Sequence, residues 1–136
     1  MENFAEYSHA IAALGFWAIL VIVLTALSTM GRSPENRSAS GKPVRNYSDP
    51  AYRRERAFMN AIEASGPFIA VTVGAILIGA SPFKVNLFAS IFIVARVAMA
   101  IVHIKTEIQP LRSIFWAVAM VTILAQAILV VTTALF

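Results

Sequence analysis

A few side chains in this sequence have types and spacings that could do chemistry. Arg56, Asn60 and Glu63 recur at intervals of four and three, which aligns a cation, an amide and a carboxylate along one face of a helix. Further on stand Arg96, His103 and the adjacent pair Arg112 and Ser113, with Trp116 one turn beyond Arg112. Arg56, Arg96 and Arg112 against the single carboxylate of Glu63 make a net cationic set. Such a set suits a small, mainly anionic ligand with one cationic end. Other chemistries are poorly served. His9 and His103 lack metal-ligand spacing to each other or to any acid, so no metal site is expected. There is no glycine-rich phosphate loop and no serine–histidine–acid arrangement. Without cysteine the chain has neither disulfides nor a thiol nucleophile of its own.

The elements that must position these residues are apolar. Of 136 residues, 59% are hydrophobic and 13% charged, about half the charged share of a typical soluble domain. Residues 10–31 and 64–83 carry no charge, residues 85–104 carry only Arg96, and residues 113–136 carry none, with Gln126 as their strongest polar group. About 20 apolar residues cross a bilayer as a helix, so four transmembrane helices are expected, at about 8–31, 50–80, 84–105 and 110–135. Together they form a single membrane domain over 1–136, with a loop at 32–49. The first segment begins with Glu2 and Glu6 instead of basic residues and has a long apolar run, so it reads as a span and not as a cleaved leader.

A pI of about 10.0 and a net charge of +4 could suggest a nucleic-acid partner, but the distribution of charge points elsewhere. Seven of the eleven basic residues lie from Arg32 to Arg56, in the first connection and the opening turns of the second helix. This is the bias that orients membrane proteins. It places both termini outside and the loop 32–49 in the cytoplasm, with no nucleic acid involved. That loop lacks apolar periodicity and reads as an irregular connection. It ends at Asp49, a good N-cap, before Pro50, which suits a first helical position. Pro67 is expected to kink the second helix and free the carbonyl of Glu63. Gly74 and Gly79 read as helix-packing positions, and Trp17 as a packing or lipid-facing side chain.

Helix counting also gives depth. Glu63 lies seven residues beyond Arg56, and Arg96 seven before His103, so each sits about 10 Å deeper than its partner. A lone charge at mid-membrane costs at least about 2.5–3.5 kcal/mol. Glu63 and Arg96 are therefore expected to pair or to line one pocket, and the simplest structural role for such a pair is to set helix register.

The stretch RAFMNAIEASGPF, residues 56–68, resembles the R-A-x-x-N-x-x-E-x-x-x-P-F signature of MAPEG proteins, the membrane-associated proteins of eicosanoid and glutathione metabolism. The upstream SDP, the segment ARVAMAIVH and the segment QPLRS fit the same family in order and spacing, over about residues 45–120. The motifs look most like the branch of microsomal prostaglandin E synthase and microsomal glutathione transferase 1. The resemblance implies an all-α, integral membrane four-helix bundle that forms a homotrimer, with glutathione as co-substrate between subunits. It also implies that Arg56, Asn60, Glu63 and Arg96 bind the peptide, Glu63 taking its ammonium. Arg112 and Ser113 would lie near the thiol, and His103 and Trp116 would occupy further positions of the same site. A lipophilic small molecule would approach from the membrane lipid along helices 1 and 4.

The chain departs from the branch at Met59, where a basic residue is common. It departs again at Met99 and His103, where a His or Tyr and then an aromatic are usual, and at Trp116, where an aromatic hydroxyl is usual. The expected function is a glutathione-dependent transferase or peroxidase acting on hydrophobic electrophiles. The alternative is a non-catalytic lipid or small-molecule binder. A small multidrug-type antiporter would need a carboxylate in the first helix, and residues 10–31 have none. The expected setting is a bacterial inner membrane.

Overall fold

A computed structural model describes residues 2–136. A 3-10 turn at Glu2–Tyr7 leads into α1 (Ser8–Thr29), followed by α2 (Pro50–Leu77), α3 (Pro82–Lys105) and α4 (Gln109–Leu135). All four helices are long and apolar enough to cross a membrane. The expected all-α, four-helix architecture is observed, and the described residues contain no strand beyond an isolated bridge between Arg37 and Pro43. α1 packs on α2 and α3, and α4 packs on α3 and α2.

The helix ends follow from local chemistry. Asp49 caps α2 by accepting the Ala51 N–H at 2.8 Å, and Pro50 occupies the first turn, where its missing N–H costs nothing. α2 stops at Leu77 because Gly79 adopts φ +68°. The Ala80 N–H then donates to Ala75 O at 2.9 Å and the Gly79 N–H to Ile76 O at 3.2 Å, a Schellman closure. Gly79 thus terminates the helix and does not pack it. Gly74 does pack: a Cβ there would sit 3.8 Å from Val130 Cγ1 on α4. α1 has no cap of its own. Asn86 of α3 supplies one, accepting the Ala10 N–H at 2.9 Å and donating to Glu6 O at 2.7 Å. α2 continues as helix through Pro67, whose ring nitrogen offers no donor to the Glu63 carbonyl.

Three aromatic rings lock α1, α2 and α3 together. Phe68 and Phe92 stack with centroids 4.0 Å apart, and Trp17 meets them edge-on at 5.9 and 5.0 Å. Trp17 is buried, and its indole N–H donates to Ser65 Oγ at 3.0 Å, so it belongs to the core. Between α2 and α4, buried Gln126 donates to Thr72 Oγ1 at 3.2 Å. Buried alanines such as Ala57, Ala61, Ala64 and Ala95 allow close helix approach, while Ile22, Phe83, Val94 and Val121 point outward, where lipid is as apolar as they are.

The connection 32–49 is irregular but folded back on itself. The Val44 N–H donates to Asn36 O and the Ser38 N–H to Lys42 O, both at 2.8 Å. Its anchor is Glu55, buried in the second turn of α2, which accepts from Arg32 at 2.8 Å and faces Lys42 Nζ at 3.6 Å.

Candidate functional site

Spacings of three and four along α3 turn Arg96, Met99 and His103 into the bundle. Arg96 is 4% exposed and His103 5%. The Arg96 guanidinium lies 5.6 Å from the Trp17 ring and donates from Nη1 to Met99 Sδ at 3.2 Å. Its Nε is buried without a partner, as are both ring nitrogens of His103 and Oδ1 of Asn60. All three side chains line one small cavity of about 10 Å³, roughly the space of one water molecule. Buried polar groups are normally hydrogen-bonded, so orphaned atoms converging on one cavity mark a place built to meet a polar group from outside the chain.

Arg56 and Asn60 are half-buried on α2, and Glu63 is exposed. The expected Glu63–Arg96 ion pair is absent: the ion pairs among the described residues are Arg32–Glu55, Lys42–Glu55 and Arg53–Glu107. Glu63 does not line the cavity of Arg96 either. Counting residues from the helix ends gives depth but not azimuth. α2 turns Glu63 to the outside while α3 turns Arg96 to the inside. The exposed carboxylate of Glu63 and the buried guanidinium of Arg96 therefore interact at longer range, without direct contact, within one chain.

Arg112, in the first turn of α4, is half-buried, with its guanidinium carbon 4.6 Å from the centroid of the Tyr47 ring. Tyr47 stacks on His103 at 6.4 Å and 20°, and meets Tyr52 edge-on at 5.1 Å. Arg53 holds this end of the loop in place. Its Nη1 donates to Tyr47 O at 2.7 Å and to Ser48 O at 3.1 Å, and its Nε to Ile104 O at 3.1 Å. Arg112 Nη1 is buried without a partner, and no carboxylate lies within 4 Å of this guanidinium among the described residues. The site thus presents a pre-positioned cation whose charge is uncompensated. Such a group can take an anion, whether carboxylate or thiolate.

The structure brings Asn60, Arg96 and His103 together and joins Arg112 to His103 through Tyr47. It leaves Glu63, Ser113 and Trp116 on exposed faces of α2 and α4, Trp116 at 46% exposure. Tyr47 and Tyr52 are members of the cluster that the spacing of charged residues does not reveal. The only hint is that these aromatics flank the Ser48-Asp49-Pro50 cap. No curated protein matches the chain. The model of the MAPEG family matches its residues 4–132.

Proposed function

This chain belongs to the MAPEG family and is an integral, multi-pass membrane protein; on that premise we propose that it is a glutathione-dependent transferase or peroxidase acting on hydrophobic electrophiles. The observation that carries the reading is Arg112: a guanidinium set over an aromatic ring, with a free buried N–H and no acidic partner. A cation beside a thiol favours the thiolate, which is the reactive form.

Glutathione supplies two carboxylates, an ammonium and the thiol that becomes the nucleophile. In this reading Arg56 and the amide of Asn60 take a carboxylate, and Glu63 takes the ammonium. Arg112 and the Ser113 hydroxyl hold the sulfur. Arg96 and His103 form the back wall, donating to the peptide directly or through ordered water. Trp116 lines the side from which the lipophilic substrate arrives. For a transferase step, the sulfur forms a bond to the electrophilic carbon while the leaving group departs with its electron pair, and Arg112 then relaxes as the anionic charge leaves the sulfur.

Within a single subunit Glu63 points away from the bundle, and an uncovered carboxylate in an apolar face is costly. We therefore place a second copy against that face, in a homotrimer with the site between subunits. The basic loop 32–49 lies on the cytoplasmic side, in a bacterial inner membrane. Two residues favour the alternative, a non-catalytic binder: Met59 and Met99 stand where the family pattern has more polar side chains.

The test is ultraviolet thiolate absorbance on titrating the purified protein with glutathione, for wild type and Arg112→Ala. A thiolate signal in wild type, with turnover of a generic electrophile, is expected. Arg112→Ala is expected to lose the signal and about 10²-fold or more in rate, the scale of losing one charge-stabilising donor. Absence of binding to wild type removes the glutathione assignment, and binding without thiolate or turnover leaves the binder.

A further inference from the structure

Between α1 and α3, at the end of the bundle that carries the basic loop, the surface opens into a groove of about 410 Å³. Leu24 and Leu27 of α1 and Val97 and Ile101 of α3 form apolar walls, while Arg54 and Lys105 stand at the end of the groove. The groove follows α1 from Leu20 to Met30. Ten helical steps rise about 15 Å, half of a hydrocarbon core of about 30 Å, so the groove is about as long as one leaflet is deep.

The two cations lack a counter-charge in contact. Neither has a carboxylate within 4 Å among the described residues. Arg54 donates one N–H to Met30 O at 2.8 Å, closing the end of α1, and its Nε is buried without a partner. Lys105 is exposed in the last turn of α3. The groove also lies away from the face that needs protein cover. Arg54 and Glu63 are nine residues apart on α2, about two and a half turns, which puts them on opposite sides of the helix.

We propose that this groove is a binding site for an anionic phospholipid from the leaflet at the basic end, one acyl chain lying along α1 and α3 and the phosphate resting on Arg54 and Lys105. Apolar walls accept any acyl chain, because lipid tails resemble the side chains themselves. The selection comes from the cations, through attraction to an anionic headgroup. This site is separate from the glutathione reading and does not depend on it.

The chain has no cysteine, so Ile101→Cys, at a position 57% exposed in the groove, carries a single bimane label. The labelled full-length protein is reconstituted in phosphatidylcholine vesicles containing a small fraction of nitroxide-chain lipid, either phosphatidylglycerol or phosphatidylcholine. Phosphatidylglycerol is expected to quench preferentially, with a preference on the order of five-fold for each cation engaged. Arg54→Gln/Lys105→Gln should abolish the preference, and Lys105→Gln alone, at an exposed position, should reduce it. Arg37→Gln/Arg45→Gln, which neutralises two exposed loop cations, should leave it unchanged. Equal quenching by the two lipids overturns the proposal. So does quenching by neither, which would mean that protein covers the groove, and so does a preference that follows the loop cations.

Discussion

The guanidinium carbon of Arg112 lies 4.6 Å from the centroid of the Tyr47 ring, which ties the first turn of α4 to the last residues of the loop before α2. Tyr47 also stacks on His103 of α3, so segments distant in sequence meet at one ring. A cation over an aromatic ring contributes about 0.5–2 kcal/mol, enough to orient a long side chain without immobilising it.

Tyr47→Phe keeps the ring and should leave thiolate formation on bound glutathione unchanged. Tyr47→Ala frees Arg112. On the proposed glutathione reading, the cation then spends less time beside the thiol, so the thiol pKa should rise by up to about one unit, the equivalent of about 1.4 kcal/mol. A spectroscopic pH titration of the bound thiolate reads this as a midpoint moved to higher pH. Identical midpoints for wild type and Tyr47→Ala would exclude any orienting role for Tyr47.

Glu63 forms no ion pair with Arg96 within 4 Å, acts on it only at longer range, and is exposed. Glu63→Gln should therefore change the stability of the subunit fold by no more than about 0.5 kcal/mol, as for other surface changes. Its effect should appear in glutathione affinity, with a loss of tenfold or more by calorimetry, and in the stability of the assembly on sedimentation. A lower melting temperature with unchanged affinity would reverse this assignment.

Arg96 is a buried cation with no acidic partner, held by Trp17 and Met99. Replacing even a buried ion pair by well-packed apolar side chains is often neutral or stabilising, by up to about 1–4 kcal/mol, and a cation without a contacting carboxylate has less to offset its desolvation. In the absence of glutathione, Arg96→Met should melt higher than wild type, after some offset from the lost cation–π contact, while binding glutathione more weakly. A variant that melts lower and binds normally would make Arg96 a structural residue.

Glu55 anchors the loop 32–49 through Arg32 and Lys42. Glu55→Gln keeps one hydrogen bond but loses the charge, and should cost about 1–3 kcal/mol. The clearer readout is trypsin cleavage at the exposed Arg37 and Arg45, which should accelerate while cleavage elsewhere is unchanged. Uniform acceleration along the chain would point to global destabilisation instead.

The helices were legible in the sequence because their signals are local. Apolar runs with no charge and the Asp49-Pro50 start each act within a few residues. Gly79 was misread as a packing position, since positive φ is a property of backbone geometry that composition does not display. Trp17 stays open between packing and lipid at the level of sequence for a related reason: in an apolar chain, lipid-facing and buried aromatics look alike by hydropathy, and the structure puts it in the core with Phe68 and Phe92.

The sequence by itself determined that four helices cross a membrane, that the basic loop joins the first two, and that Glu63 and Arg96 reach the apolar region at matching depth. Depth follows from a fixed rise per residue, so it can be counted. Only the tertiary structure decided which of those groups meet. Azimuth depends on how each helix packs against its neighbours, and that packing buries Arg96 beside Asn60 and His103 and turns Glu63 outward. The same packing draws Tyr47 from a loop with no periodic signal to sit against Arg112.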